Sequence, residues 1–466
     1  MVQIDPHLTP RHLVPRIQHL FVLSAPKIID LQKRWNPSKG TPVITVNGTY
    51  TSRDWTEWTQ GFQFGSALLQ FDATGDRQFL DIGRENVLKH MVTHVSHVGV
   101  HDHGFNNIST YGNLLRLTIE KRIPENAWER NFYELALKVS GAVQAARWTS
   151  LSSGLGYIYS FNGPHSLFAD TIRTLRSLAI AHQLGHVLMA EHDQKINLLH
   201  RLLAHAETTA RFNVYFGTGR DVYDVRGRVA HESIFNVNDG SYRCSNSQQG
   251  YSPFSTWTRG LAWILLGYAE ELEFLETLPS RTFRPQLEKR RMIKRFLETA
   301  CAVADYYIEE TPADGIPYWD TGAPGLARMG NYREKPANPF NEHEPVDSSA
   351  AAIAAQGFVR LGKYQTAHGD KRSGKRYLAT GLTIARTLFN EPYLSMDPKH
   401  QGLILHSVYH RPKGWDHIPA KQKIPTGESS MWGDYHAREL GLLLLRMTEG
   451  KPYYRFFFDE RDIREK

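Results

Sequence analysis

Hydrophobic residues recur every three to four positions through most of this 466-residue chain, as they do on the buried face of an α-helix. The pattern predicts amphipathic helices in succession and almost no β-strand. It covers twelve segments: 10–34, 57–71, 78–95, 110–121, 126–147, 167–185, 191–211, 256–278, 287–309, 347–363, 370–390 and 429–449. Because six consecutive helix pairs can close into a ring, we predict an all-α fold, an (α/α)6 barrel that forms a single domain over residues 1–466.

Long irregular stretches alternate with the predicted helices and collect glycine, proline, aromatic and acidic residues. They cover 148–166, 213–255, 311–346 and 391–428, and nothing with the composition of a linker divides the chain. Long loops that carry such residues are typical of binding sites held by a rigid scaffold. We therefore expect these loops to meet at one rim of the barrel.

Composition narrows the class of protein. Hydrophobic residues make up 41% and charged residues 22%, which is typical of an ordinary soluble globular protein. The net charge of +7 is modest for this length, and the basic runs Lys289–Arg291 and Lys294–Arg295 fit the solvated face of a helix. We therefore predict no nucleic-acid partner.

The cysteines and the amino-terminal segment indicate the compartment. Cys244 and Cys301 have neither metal-type nor redox-type spacing and form no disulfide framework. The amino-terminal residues contain no long apolar run that would predict a signal peptide or a membrane span. We predict a cytoplasmic protein without a membrane partner, a monomer or a weak homo-oligomer.

The first candidate site lies where an apolar helix begins near Trp257. Arg259 stands in its first turn and Trp263 about one turn further on. The partial positive charge of a helix N-terminus beside a guanidinium favours a bound carboxylate, and the indole rings suit a sugar. The alternative is an amphipathic helix with two core tryptophans and one solvated arginine.

The second candidate is His101-Asp102-His103. It invites a metal interpretation, but histidines one residue apart splay away from each other, and no further ligand set of familiar spacing follows. We therefore expect no bound metal here. Asp102 with a neighbouring imidazole is either polar machinery on the floor of a site or a helix cap.

The third candidate is Asp170, which is embedded in an apolar run from Phe168 to Leu175. A carboxylate in such a run needs a physical reason. It is either a helix N-cap or a general acid whose pKa is raised by burial.

Together these segments resemble the unsaturated glucuronyl hydrolases of glycoside hydrolase family 88 over nearly the whole chain. The resemblance depends on ordered motifs: Trp58–Phe62, His101–Phe105, Ala169–Thr171, Gln249–Tyr251, Trp257–Gly260, Pro317–Asp320, Asp347–Ala351 and Trp432–Tyr435. Two positions depart from the family pattern. His103 stands where a leucine is usual, and Ser252–Ser255 stands where acidic residues are usual.

The resemblance implies an (α/α)6-barrel enzyme, without cofactor or metal, that removes a 4,5-unsaturated uronic acid from the non-reducing end of lyase-generated oligosaccharides. Asp170 would be the general acid and base, and Asp102 its carboxylate partner. The other implied site residues contact the sugar or support the site: Trp58, His101, His231, Gln249, Trp257, Arg259, Trp263 and Tyr435.

The implied reaction is hydration of the C4=C5 vinyl ether, in which one acid protonates C4 and later takes a proton from water. Asp170 must then be protonated beforehand, and we expect burial and the like charge of Asp102 to raise its pKa.

Two other classes of function stay open. An inverting glycosidase acting on a saturated uronide or another glycoside needs a second carboxylate across the cleft, for which Asp320, Asp347 and Asp434 are candidates. A non-catalytic sugar-binding protein would keep the tryptophans but has no need of a buried acid pair.

Overall fold

A computed structural model describes residues 1–458, apart from Asp54, Thr56 and 284–287. The helices in this part of the chain are α1 (Pro10–Arg34), α2 (Gln60–Thr74), α3 (Arg77–His90), α4 (Val92–Val95), α5 (Asn113–Ile119), α6 (Ala127–Ala146), α7 (Thr171–Thr174), α8 (Arg176–Gln183), α9 (Leu198–Phe212), α10 (Thr258–Thr277), α11 (Lys289–Glu310), α12 (Ser348–Ala367), α13 (Lys371–Leu388) and α14 (Met431–Glu449). A π-helical segment, Gly104–Gly112, leads directly into α5.

The helices form two concentric rings. Around the inner ring, α2 contacts the π-helical segment, which is followed by α7–α8, α10, α12 and α14, and α14 closes the ring against α2. These inner helices are buried on almost every side, whereas α1, α3, α6, α11 and α13 each expose one face and α9 is covered over most of its length. The (α/α)6 barrel predicted from the hydrophobic pattern is therefore confirmed.

Most helix boundaries lie within a few residues of their predicted positions, and three differ more. The helix predicted from 110 already begins at Gly104, in π-helical form. The helices predicted from 167 and 191 begin at Thr171 and Leu198, because strands occupy the residues before them. The first residue of the predicted helix 287–309 and the end of the predicted domain, 459–466, lie outside the described residues.

Short strands lie in the loops between the helices, although the sequence predicted almost no β-strand. They are β1 (Pro42–Val46), β2 (Thr49–Ser52), β3 (Trp148–Ser150), β4 (Gly156–Ile158), β5 (Ser166–Phe168), β6 (Leu188–Met189), β7 (Lys195–Ile196), β8 (Glu232–Phe235) and β9 (Tyr242–Asn246). Three antiparallel pairs, β1–β2, β3–β4 and β6–β7, accompany a three-stranded sheet in the order β5-β8-β9. Strands of two to five residues are too short for alternation to reveal them.

Long connections precede the inner helices, and short ones follow most of them. The four predicted irregular stretches all lead from an outer helix to the next inner helix. Residues at the starts of several inner helices line one cavity, so these N-termini converge at the same rim. Since each helix N-terminus carries a partial positive charge, this rim favours an anionic ligand.

Below this rim, buried ion pairs link the inner helices. The Arg173 guanidinium of α7 is 2.8 Å from Glu270 of α10 and 2.9 Å from Glu439 of α14. Breaking such a buried pair costs roughly 3–5 kcal/mol, because the remaining charge is left without compensation. Within the described part of the chain, no helix combines the length and apolar character needed to span a membrane.

Candidate active site

A cavity of about 210 Å³ opens at the rim where the inner helices begin. Eight of the ten predicted site residues line it, all except His231 and Tyr435. The complete lining is Trp55, Glu57, Trp58, Gly99, Val100, His101, Asp102, Phe105, Phe161, Asp170, Gln248, Gln249, Trp257, Arg259, Trp263, Tyr409, His410 and Trp415.

Asp102, Asp170 and His101 form a buried cluster at this cavity. Asp102 precedes the π-helical segment, and Asp170 stands between β5 and α7. His101 Nε2 lies 3.6 Å from Asp102 Oδ1 and 3.8 Å from Asp170 Oδ1. Asp170 occupies the N-cap position of α7, but its side chain donates to or accepts from no described residue of that helix as a cap. The cap interpretation of Asp170 is therefore wrong.

The protonation of this cluster differs from the expectation. Burial raises the pKa of Asp102 to about 6; the charge of Asp170 adds to this shift and His101 opposes it. Burial also acts to raise the pKa of Asp170, but the hydrogen bond and the charge of His101 outweigh it and hold that pKa below its usual range. In the free enzyme the raised pKa therefore belongs to Asp102, because Asp170 is more strongly stabilised by His101.

The pKa of His101 is raised as well. Burial lowers it, but the charges of Asp102 and Asp170 outweigh the burial. An imidazolium beside two carboxyl groups compensates part of their negative charge. The cluster therefore retains an exchangeable proton to a higher pH than an isolated aspartate would, which suits acid–base chemistry.

The same three residues are the candidate cation ligands. One donor atom from each of His101, Asp102 and Asp170 lies within 4.8 Å of the others. His103 is not part of this group: its Nδ1 is 3.0 Å from Ser140 Oγ and its Nε2 is 2.8 Å from the His97 carbonyl oxygen. The interpretation of His101 and His103 as a pair of ligands is therefore wrong, since His103 packs behind the site.

Indole rings form much of the cavity wall. Trp58 stacks on Trp432 with ring centroids 5.0 Å apart, and Trp263 packs against Phe105 at 4.7 Å. Trp257 and Trp263 are almost fully buried, so that only their edges reach the cavity, whereas Trp58 is partly exposed. A sugar ring has more open indole surface available at Trp58 than at the other two predicted tryptophans.

His231 lies just behind the wall. Its Nδ1 accepts the backbone N–H groups of Gln248 at 3.0 Å and Gln249 at 3.4 Å. A nitrogen that accepts is unprotonated, so the proton of the neutral ring is on Nε2. That Nε2 is buried and has no hydrogen-bond partner among the described residues. His231 therefore holds the loop that carries Gln249 and keeps one unused N–H.

Arg259 is placed differently from the sequence expectation. Its Nη1 donates to Asp347 Oδ2 at 2.7 Å and to the Val408 carbonyl oxygen. Its Nη2 donates to Gln249 Oε1 at 3.0 Å and to the Tyr409 carbonyl oxygen at 2.7 Å. The four Nη hydrogens are thus used by the protein, and the charge is neutralised by Asp347. Arg259 therefore positions Gln249 and the wall around Tyr409, and its Nη groups are not available to a substrate carboxylate.

Tyr435 does not reach the cavity either. It is fully buried on α14, where its hydroxyl donates to Glu439 at 3.3 Å and accepts from Asn113 at 3.3 Å. The expectation that Tyr435 contacts the sugar is therefore not met by its position. The tyrosine at the cavity is Tyr409, whose hydroxyl lies 3.4 Å from Trp58 Nε1.

Several lining residues were missed because they come from loops without periodicity. Trp55, Phe161 and Trp415 form an aromatic mouth, with Trp55 centred 5.2 Å from Phe161 and 5.8 Å from Trp415. Lys413 Nζ lies 3.7 Å from the Trp55 ring centroid. The aromatic residues clustered in the loops were the one available signal for these lining residues. That signal does not indicate which of the aromatic side chains contact one another in the folded protein.

The three acids that the sequence offered as the second carboxylate of an inverting mechanism lie outside the cavity lining. Asp347 caps α12 and pairs with Arg259, and Asp434 accepts the backbone N–H groups of Leu403 and Ile404. Asp320 accepts the N–H of Tyr251 at 2.8 Å. Each carboxylate therefore has a structural task, which counts against the inverting alternative.

Comparison with known proteins finds relatives among the unsaturated glucuronyl hydrolases. No protein-family model matches the chain. It is 24% identical over 409 residues to the unsaturated glucuronyl hydrolase of Bacillus sp. (strain GL1), covering 87% of this chain and 91% of the relative. It is also 24% identical over 386 residues to that of Formosa agariphila, covering 82% and 78% of the two chains.

Solved structures agree. The crystal structure of an unsaturated glucuronyl hydrolase specific for heparin superposes with a TM-score of 0.70 at 19% identity, covering 94% of this chain and 98% of that one. The fold is therefore the α/α barrel of such hydrolases. The predicted resemblance to the unsaturated glucuronyl hydrolases is confirmed.

Proposed function

We propose that this chain is a glycoside hydrolase that releases 4,5-unsaturated uronic acid from the non-reducing end of lyase-generated oligosaccharides. The observation that carries the proposal is the buried cluster of Asp102, Asp170 and His101 at a cavity whose wall combines carboxyl groups with several indole rings. The similarity to enzymes named for this activity supports it.

The reaction begins with transfer of a proton to C4 of the C4=C5 bond. Positive charge then forms at C5, where the ring oxygen shares it. Water adds to C5 and gives its proton back to the enzyme, which yields a hemiketal. The hemiketal opens when the bond between C5 and the ring oxygen breaks and the ring oxygen takes up the hydroxyl proton, which leaves a ketone at C5 and a hemiacetal at C1. The hemiacetal then breaks its C1–O bond to the remaining saccharide, which leaves with the hemiacetal proton while C1 becomes an aldehyde, so that the enzyme is unchanged overall.

Asp170 is the group proposed to transfer the proton, with Asp102 and His101 as its reservoir. The carboxyl group of Asp170 lines the cavity, and its Oδ1 lies 3.8 Å from His101 Nε2, so that it stands between the reservoir and a bound substrate. The carboxylate of an entering uronate adds negative charge near the pair, and a like charge raises the pKa of a carboxyl group. Substrate binding thus promotes protonation of the pair, although Asp102 alone has the raised pKa in the free enzyme.

Recognition of the sugar falls to groups with unused hydrogens. The amide N–H groups of Gln249 are such groups at the cavity, because Arg259 occupies Gln249 Oε1, whereas His231 supports their loop from behind the wall. Trp58 offers an indole face. The convergent helix N-termini supply the positive potential that Arg259, already paired with Asp347, does not.

A panel of unsaturated disaccharides prepared with polysaccharide lyases tests the function. We expect the conjugated ultraviolet absorbance of at least one to disappear on incubation. A saturated glucuronide with a chromogenic leaving group is the control, and its release in place of the absorbance loss would support the inverting glycosidase. Tight binding of a disaccharide without turnover of any would support the sugar-binding protein.

The domain organisation, the compartment and the oligomeric state complete the proposal. We propose a single catalytic domain, residues 1–466, that works in the cytoplasm as a monomer or weak homo-oligomer. The continuous inner ring of helices and the absence of a linker-like segment from the sequence support one domain. Two cysteines without a disulfide-type spacing fit a reducing compartment.

Arg259→Ala is expected to lower both stability and substrate affinity. The change leaves Asp347 as a buried charge without its partner, at a cost of roughly 3–5 kcal/mol. It also releases Gln249, so KM should rise. Thermal unfolding and steady-state kinetics measure the two effects.

Gln249→Ala is the matched comparison, because it removes the proposed sugar contact and keeps the Arg259–Asp347 pair. We expect KM to rise with little change in Tm. An Arg259→Ala protein with parental Tm but raised KM would instead indicate that Arg259 contacts the substrate directly.

Activity is expected to be unaffected by chelators. The proposed steps use a proton and water, and His101 and the two carboxyl groups are engaged with one another. The rate after dialysis against EDTA should equal the rate before it. Loss of activity that returns with one divalent ion would assign His101, Asp102 and Asp170 as its ligands.

A further inference from the structure

A basic groove on the outer wall of the barrel is separate from the catalytic cavity. It consists of two adjoining cavities, of about 770 and 220 Å³, that share Arg211. The groove lies along α9, between the β3–β4 turn and the first turns of α11. None of its lining residues lines the catalytic cavity. We call it the outer groove.

Cations outnumber acids in the outer groove. Its lining contains Lys195, Arg201, Arg211, Arg220, Arg291 and Arg295 against Glu207, Asp224 and Glu298. Arg295 lies 3.7 Å from both Glu207 and Glu298, and Asp224 accepts three backbone N–H groups of its own loop. The acids are therefore engaged, and a net positive charge is left over.

Two of these cations, Arg201 and Lys195, have no acidic partner among the described residues, and a third, Arg211, shares Glu207 with Arg291 and Arg295. The Arg201 guanidinium makes neither a hydrogen bond nor an ion pair within that part of the chain, and its Nη1 is buried without a partner. Burial lowers the pKa of Arg201 to about 10. Lys195 likewise forms no ion pair with a described residue. A cation that is partly desolvated without compensation is a group to which an anion would bind favourably.

Aromatic rings fix the guanidinium groups. Arg201 lies over Trp148 at 4.0 Å, Arg220 over Tyr215 at 4.5 Å, and Arg295 over Phe216 at 4.8 Å. Such stacking orients the planar forks before a ligand arrives. It also covers the ring faces, so that these rings are not open platforms for nucleic-acid bases, which bind single strands largely by stacking.

The spacing of the cations indicates an extended ligand. Arg201 and Arg211 are ten residues apart on α9, which corresponds to about 15 Å along the helix axis. No single small anion reaches both. A chain with repeated negative charges does.

We propose that the outer groove binds a chain of acidic polysaccharide through its carboxylate or sulfate groups. The choice of a saccharide over another polyanion rests on the proposed function. The basic run on α11, which the sequence indicated only as a solvated helix face, then contributes Arg291 and Arg295 to a binding site.

The test uses hyaluronan, which carries carboxylates alone, and chondroitin sulfate, which carries both groups. Both are saturated polymers, so the proposed reaction does not consume them. The Kd of the parent protein for each immobilised polymer is measured at low and at physiological ionic strength. Arg201→Gln/Arg211→Gln should raise the Kd by about tenfold or more, since both lost contacts are charge-assisted.

Arg372→Gln/Lys375→Gln is the matched control, because it removes the same charge from the exposed face of α13. We expect parental Kd from this control and parental rates on unsaturated disaccharides from both variants. Arg211→Gln alone keeps the Trp148–Arg201 stack and should show a smaller loss, which guards against a folding defect in the double variant.

Binding to chondroitin sulfate alone would assign sulfate as the recognised group, and binding to both polymers would show that carboxylates suffice. The proposal fails if neither polymer binds, if both double variants lose affinity equally, or if single-stranded DNA binds the groove more tightly than either polymer. Failure here with disaccharide hydrolysis intact leaves the proposed function standing. Polymer binding by the outer groove without hydrolysis of any disaccharide would support the groove proposal and count against the proposed function.

Discussion

Asp170→Asn is expected to abolish turnover and to leave the fold and most of the substrate affinity intact. The amide has the shape of the carboxyl group but can neither deliver a proton to C4 nor take one from water. General acid–base catalysis contributes about 10²–10⁴-fold, and both steps of the proposed reaction depend on this group. Loss of ultraviolet absorbance measures the rate, and calorimetric titration measures binding.

Asp320→Asn is the matched control for this experiment. Asp320 is also buried, but it lies outside the cavity lining and accepts the N–H of Tyr251. It was also a candidate second carboxylate of an inverting mechanism. We therefore expect a Tm below that of the parent and a rate close to it. An Asp170→Asn enzyme that keeps more than about a tenth of the parental rate would remove Asp170 from the mechanism.

The barrel could be predicted because helix periodicity is a local property of the sequence. An inner helix such as α12 is marked by its long apolar run, and an outer helix such as α13 by its clear polar face. The strands escaped prediction because pairs such as β6–β7 are two residues long and depend on tertiary contacts.

The site could be predicted only as far as motifs reach. Asp102 and Asp170 stood out from their local sequences, a His-Asp-His motif and an apolar run, and Trp58 was implied by the family resemblance. Tyr409 stands in a long loop and lines the cavity, where its hydroxyl accepts a hydrogen bond from Trp58 Nε1. Tyr435 has the clearer motif but faces Glu439 inside the barrel. The tertiary structure decides which side chain of a loop lines the cavity, and a sequence motif does not reveal it.

The electrostatic assignments could not be predicted for a related reason. Arg259 looked available in the sequence because its partner, Asp347, is 88 residues away. The distribution of charge between Asp102 and Asp170 depends on His101, which is within 4 Å of both carboxyl groups and lowers the pKa of Asp170 more strongly. Burial alone would have raised both pKa values.

These charges also explain how a cavity with acids can bind an acid. Asp102, Asp170 and Glu57 line the cavity, and the charge of Arg259 is matched by Asp347. The imidazolium of His101 and the N-termini of the inner helices remain to attract a uronate. A substrate that binds there meets a cluster with one exchangeable proton, so its own charge helps to retain the proton that the reaction requires.

The pH dependence of Asp102→Asn follows from this arrangement. In the parent, the raised pKa of Asp102, about 6, means that its carboxyl group is protonated below that pH and ionised above it. Since the first step consumes a proton, kcat/KM, which reports the free enzyme, should fall as the pH rises through about 6. Glu57, whose charge also raises the pKa of Asp102, offers a graded variant: Glu57→Gln should move this alkaline limb slightly to lower pH.

Asp102→Asn removes the group with the raised pKa and the like charge beside Asp170. The pKa of Asp170 is already below its usual range, because His101 stabilises its charged form more than burial opposes it. We therefore expect a large loss of rate and an alkaline limb that moves to lower pH by more than in Glu57→Gln, measured as kcat/KM of the residual activity across the pH range. A limb that stays in place or moves upward would mean that Asp102 only orients the substrate, and that the exchangeable proton resides elsewhere in the cluster.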